Sequence, residues 1–108
     1  MKRTCLAAVL AMSTAPAWAQ SDGMQVYGPG GASCATYLQD RTLRINADGW
    51  ILGFWTGSNT AGDTHTVGHS TDSRGIVGEV ARVCRTQPSL SLFKTEKQVF
   101  EKMKSDGR

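Results

Sequence analysis

The cysteines that remain after an N-terminal export signal is removed are the feature that most constrains this chain. Met1–Ala19 has the parts of such a signal in order: a positively charged start, a short apolar stretch and the small-residue cleavage site Ala17–Ala19. The chain has three cysteines, and Cys5 leaves with the signal, so that Cys34 and Cys84 remain. One cysteine pair in a small exported domain predicts a disulfide-linked fold in an oxidising compartment.

The small size of the mature chain gives this disulfide a large share of the stability. Of 108 residues, 19 belong to the signal, so Gln20–Arg108 is a single domain of 89 residues. A domain of this size buries only about 60–65% of its unfolded surface. A Cys34–Cys84 bond closes a loop of about 50 residues and contributes about 4 kcal/mol. Two unpaired buried thiols are the alternative.

Charge and motif content exclude several functions. The chain has 12 Lys and Arg against 9 Asp and Glu, and loss of Lys2 and Arg3 with the signal leaves 10 − 9 = +1. The mature domain therefore lacks the large net positive charge that is typical of proteins that bind nucleic acid or membrane surfaces. No later segment has the roughly 20 apolar residues that a membrane span requires. Without a nucleophile elbow or a phosphate-binding loop, we expect a non-enzymatic protein with no cofactor.

Hydrophobic periodicity predicts an all-α fold of four short helices within residues 32–104. A glycine-rich, flexible N-terminal arm over 20–31 precedes them, and a frayed tail over 105–108 follows. The helices are expected at about Cys34–Arg41 with Ser33 as N-cap, Ile45–Ser58, Ser73–Thr86 with Thr71 or Asp72 as cap, and from Ser91 or Thr95 to Lys104. Thr95 is a candidate cap because residues 95–98 fit a capping box.

The second helix carries two neighbouring faces of different composition. Gly49, Gly53 and Gly57 recur at helical spacing, although each glycine costs about 1 kcal/mol relative to alanine. This spacing predicts that another helix packs closely against them. The adjacent face is aromatic and apolar, and we expect it to lie in the core or to bind a client or partner protein. Its residues are Trp50, Ile51, Phe54 and Trp55.

The segment Asn59–Ser70 is polar and holds both histidines, His65 and His69. With Asp63 or Asp72 these side chains are weak candidates for a metal site, because imidazole and carboxylate groups are common metal ligands. The segment lacks helical periodicity, which favours a mobile polar loop instead. A pH-sensing role is a further alternative, since histidines gain charge in mild acid.

Three segments resemble a known group of proteins. These are Ser33–Cys34 at the start of a helix, the aromatic–glycine helix Trp50–Gly57, and Val83–Phe93, in which a cysteine precedes a proline and an amphipathic helix. Together they are similar to the HdeA/HdeB acid-stress chaperones of the bacterial periplasm and to the wider group of small exported helical proteins that includes Tai-type immunity proteins. The resemblance covers about residues 33–103 and implies a helical domain with a Cys34–Cys84 disulfide.

The resemblance also implies a function and a location. An HdeA-like protein is expected to be a periplasmic dimer near neutral pH. In strong acid it would loosen, expose apolar residues such as Trp50, Phe54 and Trp55, and hold unfolding client proteins in solution. The alternative is a specific inhibitor or immunity protein that binds one exported effector enzyme. A metal-binding or enzymatic domain that uses His65 and His69 is a third hypothesis.

Overall fold

A computed structural model describes residues 23–108, which form four α-helices and one short 3₁₀ turn, Gly28–Gly31. The helices are α1 (Cys34–Gln39), α2 (Arg41–Ala61), α3 (Ser73–Thr86) and α4 (Leu92–Ser105). Over this range there is no β-strand, only an isolated bridge between Ser33 and Ser91. The predicted all-α fold with four helices is confirmed. The predicted export signal lies outside the described residues.

Side-chain caps explain where the helices begin. Ser33, Asp72 and Ser91 each accept a hydrogen bond from the backbone N–H three residues further on, and this satisfies a donor that the first helical turn leaves free. The alternative start of α4 at Thr95 is wrong. Thr95 lies one turn inside α4, is fully buried, and places its hydroxyl 3.2 Å from the Sγ atom of Cys34.

Asp40 separates the first two helices. Its backbone N–H donates to the carbonyl oxygen of Thr36 and closes α1, while its carboxylate accepts from the N–H of Leu43 and opens α2. Helix α2 consequently starts four residues before the apolar segment that begins at Ile45, and it continues to Ala61. Ile45 itself is 67% exposed, so this first apolar residue does not belong to the buried face.

The disulfide joins α1 to α3. Cys34 and Cys84 are bonded, fully buried and have Cα atoms 5.0 Å apart, as the sequence predicts. The chain that connects α3 to α4 reinforces this junction. The N–H of Cys34 donates to the carbonyl oxygen of Leu90, and the N–H of Leu92 donates to that of Ala32. The start of α1 is therefore fixed to the end of α3 and to the start of α4.

The core lies where the four helices meet. Its buried members come from all four helices and from one residue of the loop between α2 and α3. They include Cys34, Tyr37, Ala47, Ile51, Trp55, Val67, Ile76, Val80, Ala81, Cys84, Leu92, Val99, Phe100 and Met103. Ile76, Val80 and Cys84 of α3 and Val99, Phe100 and Met103 of α4 recur at helical spacing and lie on the core side. No helix among residues 23–108 is long and apolar enough to cross a membrane.

The two ends of the domain are held by contacts that the sequence does not indicate. The turn Gly28–Gly31 contacts α2 and α4, and Gly30 is buried. At the other end, the N–H of Arg108 donates to the carbonyl oxygen of Met103, and the N–H of Gly68 donates to that of Arg108. The tail that the sequence predicts to be frayed is thus hydrogen-bonded to α4 and to the loop that follows α2.

Candidate functional site

Three aromatic side chains form a continuous row from α2 to α4. The rings of Trp50 and Phe54 stack with centroids 5.4 Å apart, and Phe54 meets the edge of Phe93 at the same distance. Trp50 and Phe54 are half-buried, whereas Phe93 is buried. We call Trp50, Phe54 and Phe93 the aromatic row. It is a candidate binding surface because its rings are clustered and two of them are partly accessible to solvent.

The Gly28–Gly31 turn covers one end of the aromatic row. The indole Nε1 of Trp50 donates a hydrogen bond of 3.0 Å to the carbonyl oxygen of Tyr27. Gly30 lies against the six-membered ring, where a Cβ atom would overlap ring carbons. Glycine is therefore required at this close approach. The ring of Trp50 is therefore shielded on this side by the backbone of the turn.

The other two residues of the predicted surface lie in the core. Ile51 is fully buried and Trp55 is 3% exposed. The ring of Trp55 meets the edge of Phe100 with centroids 5.0 Å apart, and its Nε1 donates to the carbonyl oxygen of Val67 at 2.8 Å. The four residues of the aromatic face thus divide into an inner pair, Ile51 and Trp55, and an outer pair, Trp50 and Phe54.

The glycine face of α2 points away from the core. Gly49, Gly53 and Gly57 are all exposed, and a Cβ atom at any of them would meet no other atom within 4 Å. The prediction that another helix packs closely against these glycines is therefore wrong for the described part of the chain. The buried face of α2 is formed by Ala47, Ile51 and Trp55, which leaves the glycines on the solvent side.

A groove of about 260 Å³ lies between the second half of α2 and α4, next to the aromatic row. Phe54, Phe93 and Phe100 supply its apolar surface. Lys97, Lys104 and Glu101 of α4 also line it, together with Met24 of the N-terminal arm, which is 55% exposed. We call this cavity the α2–α4 groove. Its aromatic walls and charged rim suit an apolar side chain with a polar neighbour.

The polar loop after α2 is anchored to the core by Val67. The Asn59 carboxamide accepts from the N–H of Val67 and donates to its carbonyl oxygen, both at 3.0 Å. Trp55 donates to the same carbonyl oxygen, and the Val67 side chain is 5% exposed. The loop is therefore fixed at its centre, and the expectation of a mobile segment does not describe residues 66–69. An apolar residue within this polar segment is the one sequence signal of the anchor.

The two histidines bond to backbone carbonyl groups of this region. Nδ1 of His65 lies 2.8 Å from the carbonyl oxygen of Asn59, and Nδ1 of His69 lies 3.1 Å from that of Thr66. His65 has a positive φ of 59°. Across residues 23–108, no three His, Cys, Asp or Glu side chains lie close enough together to bind a metal ion. The geometry gives the metal hypothesis no support there.

Ion pairs connect the loop and the helices at the surface. Asp63 contacts Nζ of Lys104 at 2.9 Å and so links the loop to α4. Glu79 pairs with Arg82 within α3, and Asp106 pairs with both Lys102 and Arg108. Hydrogen bonds from these cationic partners lower the pKa of Asp63, Glu79 and Asp106. All four pairs are formed by these three ionised carboxylates, so strong acid removes them.

One polar contact holds α2 to α1. The hydroxyl group of Tyr37 donates to the Asp48 carboxylate at 2.7 Å, and the Arg44 guanidinium lies 5.5 Å from the centre of the Tyr37 ring. Burial and the neighbouring Asp48 carboxylate raise the pKa of Tyr37. The tyrosine therefore stays protonated and donates its hydroxyl hydrogen to Asp48.

Glu96 is the residue that the sequence analysis missed. It is fully buried in α4, and neither carboxyl oxygen has a hydrogen-bond partner among the described residues. Burial raises the pKa of Glu96 to about 8, because the charged form loses its hydration. A glutamate at a helix position that shares a face with Leu92 and Phe100 is the only sequence signal of this burial.

These arrangements favour binding over chemistry. The described residues offer an aromatic surface, an adjoining groove and a rigid disulfide junction, whereas the buried Glu96 faces no partner that it could activate. Comparisons with known protein families, with curated proteins and with solved structures find no match to the chain.

Proposed function

We propose that the chain is a small, non-enzymatic binding protein that loosens in strong acid and holds unfolding client proteins on its aromatic surface. One observation carries the proposal. The aromatic row crosses the boundary between α2 and α4, whereas the disulfide joins α1 to α3. Separation of α2 from α4 would expose Trp50, Phe54 and Phe93 together, while the Cys34–Cys84 bond keeps α1 and α3 associated.

Acid weakens the contacts that hold α2 and the loop after it against the rest of the fold. Protonation of Asp63 breaks its ion pair with Lys104, which links the loop after α2 to α4. The residues from Gln20 onward carry ten Lys and Arg, nine Asp and Glu and two His, so their net charge rises from +1 to 10 + 2 = +12 in strong acid. Self-repulsion of this size favours an expanded chain.

The disulfide and the predicted signal support a location outside the cytoplasm. A buried disulfide persists in an oxidising compartment such as the bacterial periplasm. A periplasmic binding protein of this kind needs no energy source, because a change in protonation alone drives its opening and closing.

A client-aggregation assay with matched variants tests the proposal. The oxidised protein is mixed with an acid-labile periplasmic enzyme, the pH is lowered to between about 2 and 3, and light scattering is followed. Phe54→Ser removes the central ring of the aromatic row. Ile45→Ser is the control, because Ile45 is an exposed apolar residue on the same helix outside the row.

We expect the wild-type protein and Ile45→Ser to suppress the scattering, and Phe54→Ser to suppress it much less. Equal suppression by the two variants would mean that the aromatic row does not hold clients. Unchanged scattering with the wild-type protein, together with native circular dichroism at the same pH, would rule out the acid-opening mechanism.

A specific inhibitor or immunity protein is the second candidate, and the α2–α4 groove favours it. The groove is already present in the closed fold, so it could accept an apolar side chain of one effector enzyme without any opening. Its phenylalanine walls and the Lys97 and Lys104 ammonium groups suit an apolar residue beside an acidic one. A tight complex with one exported enzyme at neutral pH, weakened by Phe54→Ser, would support this candidate over the first.

A further inference from the structure

Glu96 lies inside the fold without a partner for its carboxyl group. The side chain is 0% exposed, and both oxygens lack a hydrogen bond. Leu92 and Phe100, one helical turn before and after it on α4, are buried as well. Helix α4 packs against α1, α3 and the Gly28–Gly31 turn, and its aromatic residues contact α2. Glu96 is thus enclosed by packing on the inner side of α4.

No charged side chain on the surrounding helices or the turn pairs with the buried carboxyl group of Glu96. The Gly28–Gly31 turn has no titratable side chain, and α1 offers only Tyr37. The remaining groups of α2, α3 and α4 are Arg41, Arg44, Asp48, Arg74, Glu79, Arg82, Arg85, Lys94, Lys97, Glu101, Lys102 and Lys104. None of them shifts the pKa of Glu96, which burial alone raises to about 8. The buried carboxyl group is therefore protonated at neutral pH.

We propose that Glu96 couples closure of the fold to the uptake of one proton. In the closed state its carboxyl group is neutral, because a buried carboxylate without a partner is costly. In the opened or unfolded chain the group is hydrated and ionises as an ordinary glutamate. Closure at neutral pH therefore takes one proton from solvent, and opening releases it. The inference deepens the proposed function, since it rests on that function for the identity of the opened state.

The direction of the pH dependence follows from this coupling. A group whose pKa is higher in the folded state stabilises the fold fully below its unfolded value of about 4.5, and this contribution is lost as the pH rises toward 8. The surface ion pairs of Asp63, Glu79 and Asp106 behave in the opposite way, because their pKa values are lowered. The closed state is then most stable in mild acid, between about pH 4 and 6.

Glu96 consequently makes the closed state more stable in mild acid than at neutral pH. From neutral pH down to about pH 4.5, protonation strengthens the closed state, so the aromatic row stays covered. Below about pH 4.5 the Glu96 carboxyl group is neutral in both the closed and the opened state and adds nothing further, so opening follows when the carboxylates that make ion pairs are neutralised. A neutral side chain of the same shape would remove the gain in mild acid and would leave opening in strong acid unchanged.

Urea unfolding as a function of pH tests the coupling. The oxidised wild-type protein, Glu96→Gln and Glu101→Gln are unfolded at intervals from pH 5 to 9. Glu101 is the matched control, because it is an exposed glutamate on the same helix. For the wild type and for Glu101→Gln, the unfolding constant should rise by up to about tenfold per pH unit between pH 5 and 8. For Glu96→Gln it should be nearly constant over this range.

A second measurement covers the case in which Glu96→Gln does not fold. The wild-type protein is unfolded with urea in weakly buffered solution at pH 6.5, and the released protons are counted with an indicator dye. About one proton per molecule is expected. No release, or an unfolding constant for the wild type that does not change between pH 5 and 8, would overturn the proposal. Failure of the client assay with intact proton release would contradict the proposed function alone.

Discussion

The six-membered ring of Trp50 lies directly against the backbone of Gly30, where any side chain would overlap the ring. The Nε1 atom of the same indole donates to the carbonyl oxygen of Tyr27, three residues earlier in the chain than Gly30. The turn and the ring therefore form one packed unit at the end of the aromatic row. The position of the turn determines how much of the Trp50 side chain is exposed to solvent.

Gly30→Ala should displace the turn from Trp50. The added methyl group overlaps the ring of Trp50, whereas that ring belongs to a residue inside the 21-residue helix α2, so we expect the turn to give way. We expect a red shift of tryptophan emission and stronger quenching by acrylamide at neutral pH, with helix content unchanged by circular dichroism. Gly31→Ala is the control, since a Cβ atom there meets nothing within 4 Å. Identical spectra for the two variants would contradict the packed unit.

Gly53→Ala should stabilise the protein. Gly53 is exposed in the interior of α2, and the methyl group would meet no other atom within 4 Å. Alanine at such a position is favoured by about 1 kcal/mol, which corresponds to a rise in Tm of about 4–8 °C for a domain of this size. Gly57→Ala should behave in the same way. A lower Tm for both variants would indicate that the glycine face packs against another molecule.

Asn59→Ala should release the loop that Val67 anchors. The variant loses two hydrogen bonds and leaves the backbone N–H of Val67 without its partner, at a cost of about 1–3 kcal/mol. Urea unfolding should show the loss of stability, and limited proteolysis should cleave within residues 62–72 more rapidly. Thr60→Ala is the control, because that exposed hydroxyl bonds only within its own helix. Equal proteolysis rates for the two variants would exclude the anchor.

The ion pairs should account for the loss of stability in strong acid. The lowered pKa values of Asp63, Glu79 and Asp106 mean that these carboxylates stabilise the fold above their unfolded pKa values. This contribution is lost as the pH falls through the folded values, below about pH 4. The triple variant Asp63→Asn, Glu79→Gln, Asp106→Asn should therefore be less stable than the wild type at pH 6 and nearly equal to it at pH 2.5 in urea titrations.

Glu101→Gln serves as the control for that comparison, because it removes an exposed carboxylate from α4 without removing any of the four ion pairs. Its difference from the wild type should be small at both pH values. If the triple variant kept the full difference at pH 2.5, the acid sensitivity would have to originate elsewhere in the fold.

Local signals in the sequence are sufficient to predict most of the helical architecture. Ser33 and Asp72 are cap residues before apolar stripes, and Pro88 follows α3 closely, so the bounds of α3 match the predicted Ser73–Thr86. The disulfide follows from counting cysteines after the signal is removed. The caps and the proline act on residues close to them in the chain, and two remaining cysteines allow only one pairing. Neither prediction requires knowledge of tertiary packing.

The candidate site depends on tertiary packing and is predicted only in part. Helical spacing places Gly53 and Phe54 on neighbouring faces, but it does not say which face meets another helix. The sequence does not indicate the burial of Glu96, because a glutamate side chain is normally exposed. The backbone of Gly30 covers the ring of Trp50, and this contact joins two segments that lie 20 residues apart in the sequence.

The proposed function requires that strong acid uncovers the aromatic row while the disulfide keeps the domain partly ordered. Acrylamide quenching of tryptophan emission in the oxidised protein that begins at Gln20, at pH 7 and at pH 2.5, tests this most directly. We predict weak quenching at pH 7, and at pH 2.5 strong quenching with red-shifted emission and substantial remaining helical circular dichroism. Quenching and emission that stay the same at pH 2.5 would show that Trp50 remains covered, and would contradict the account.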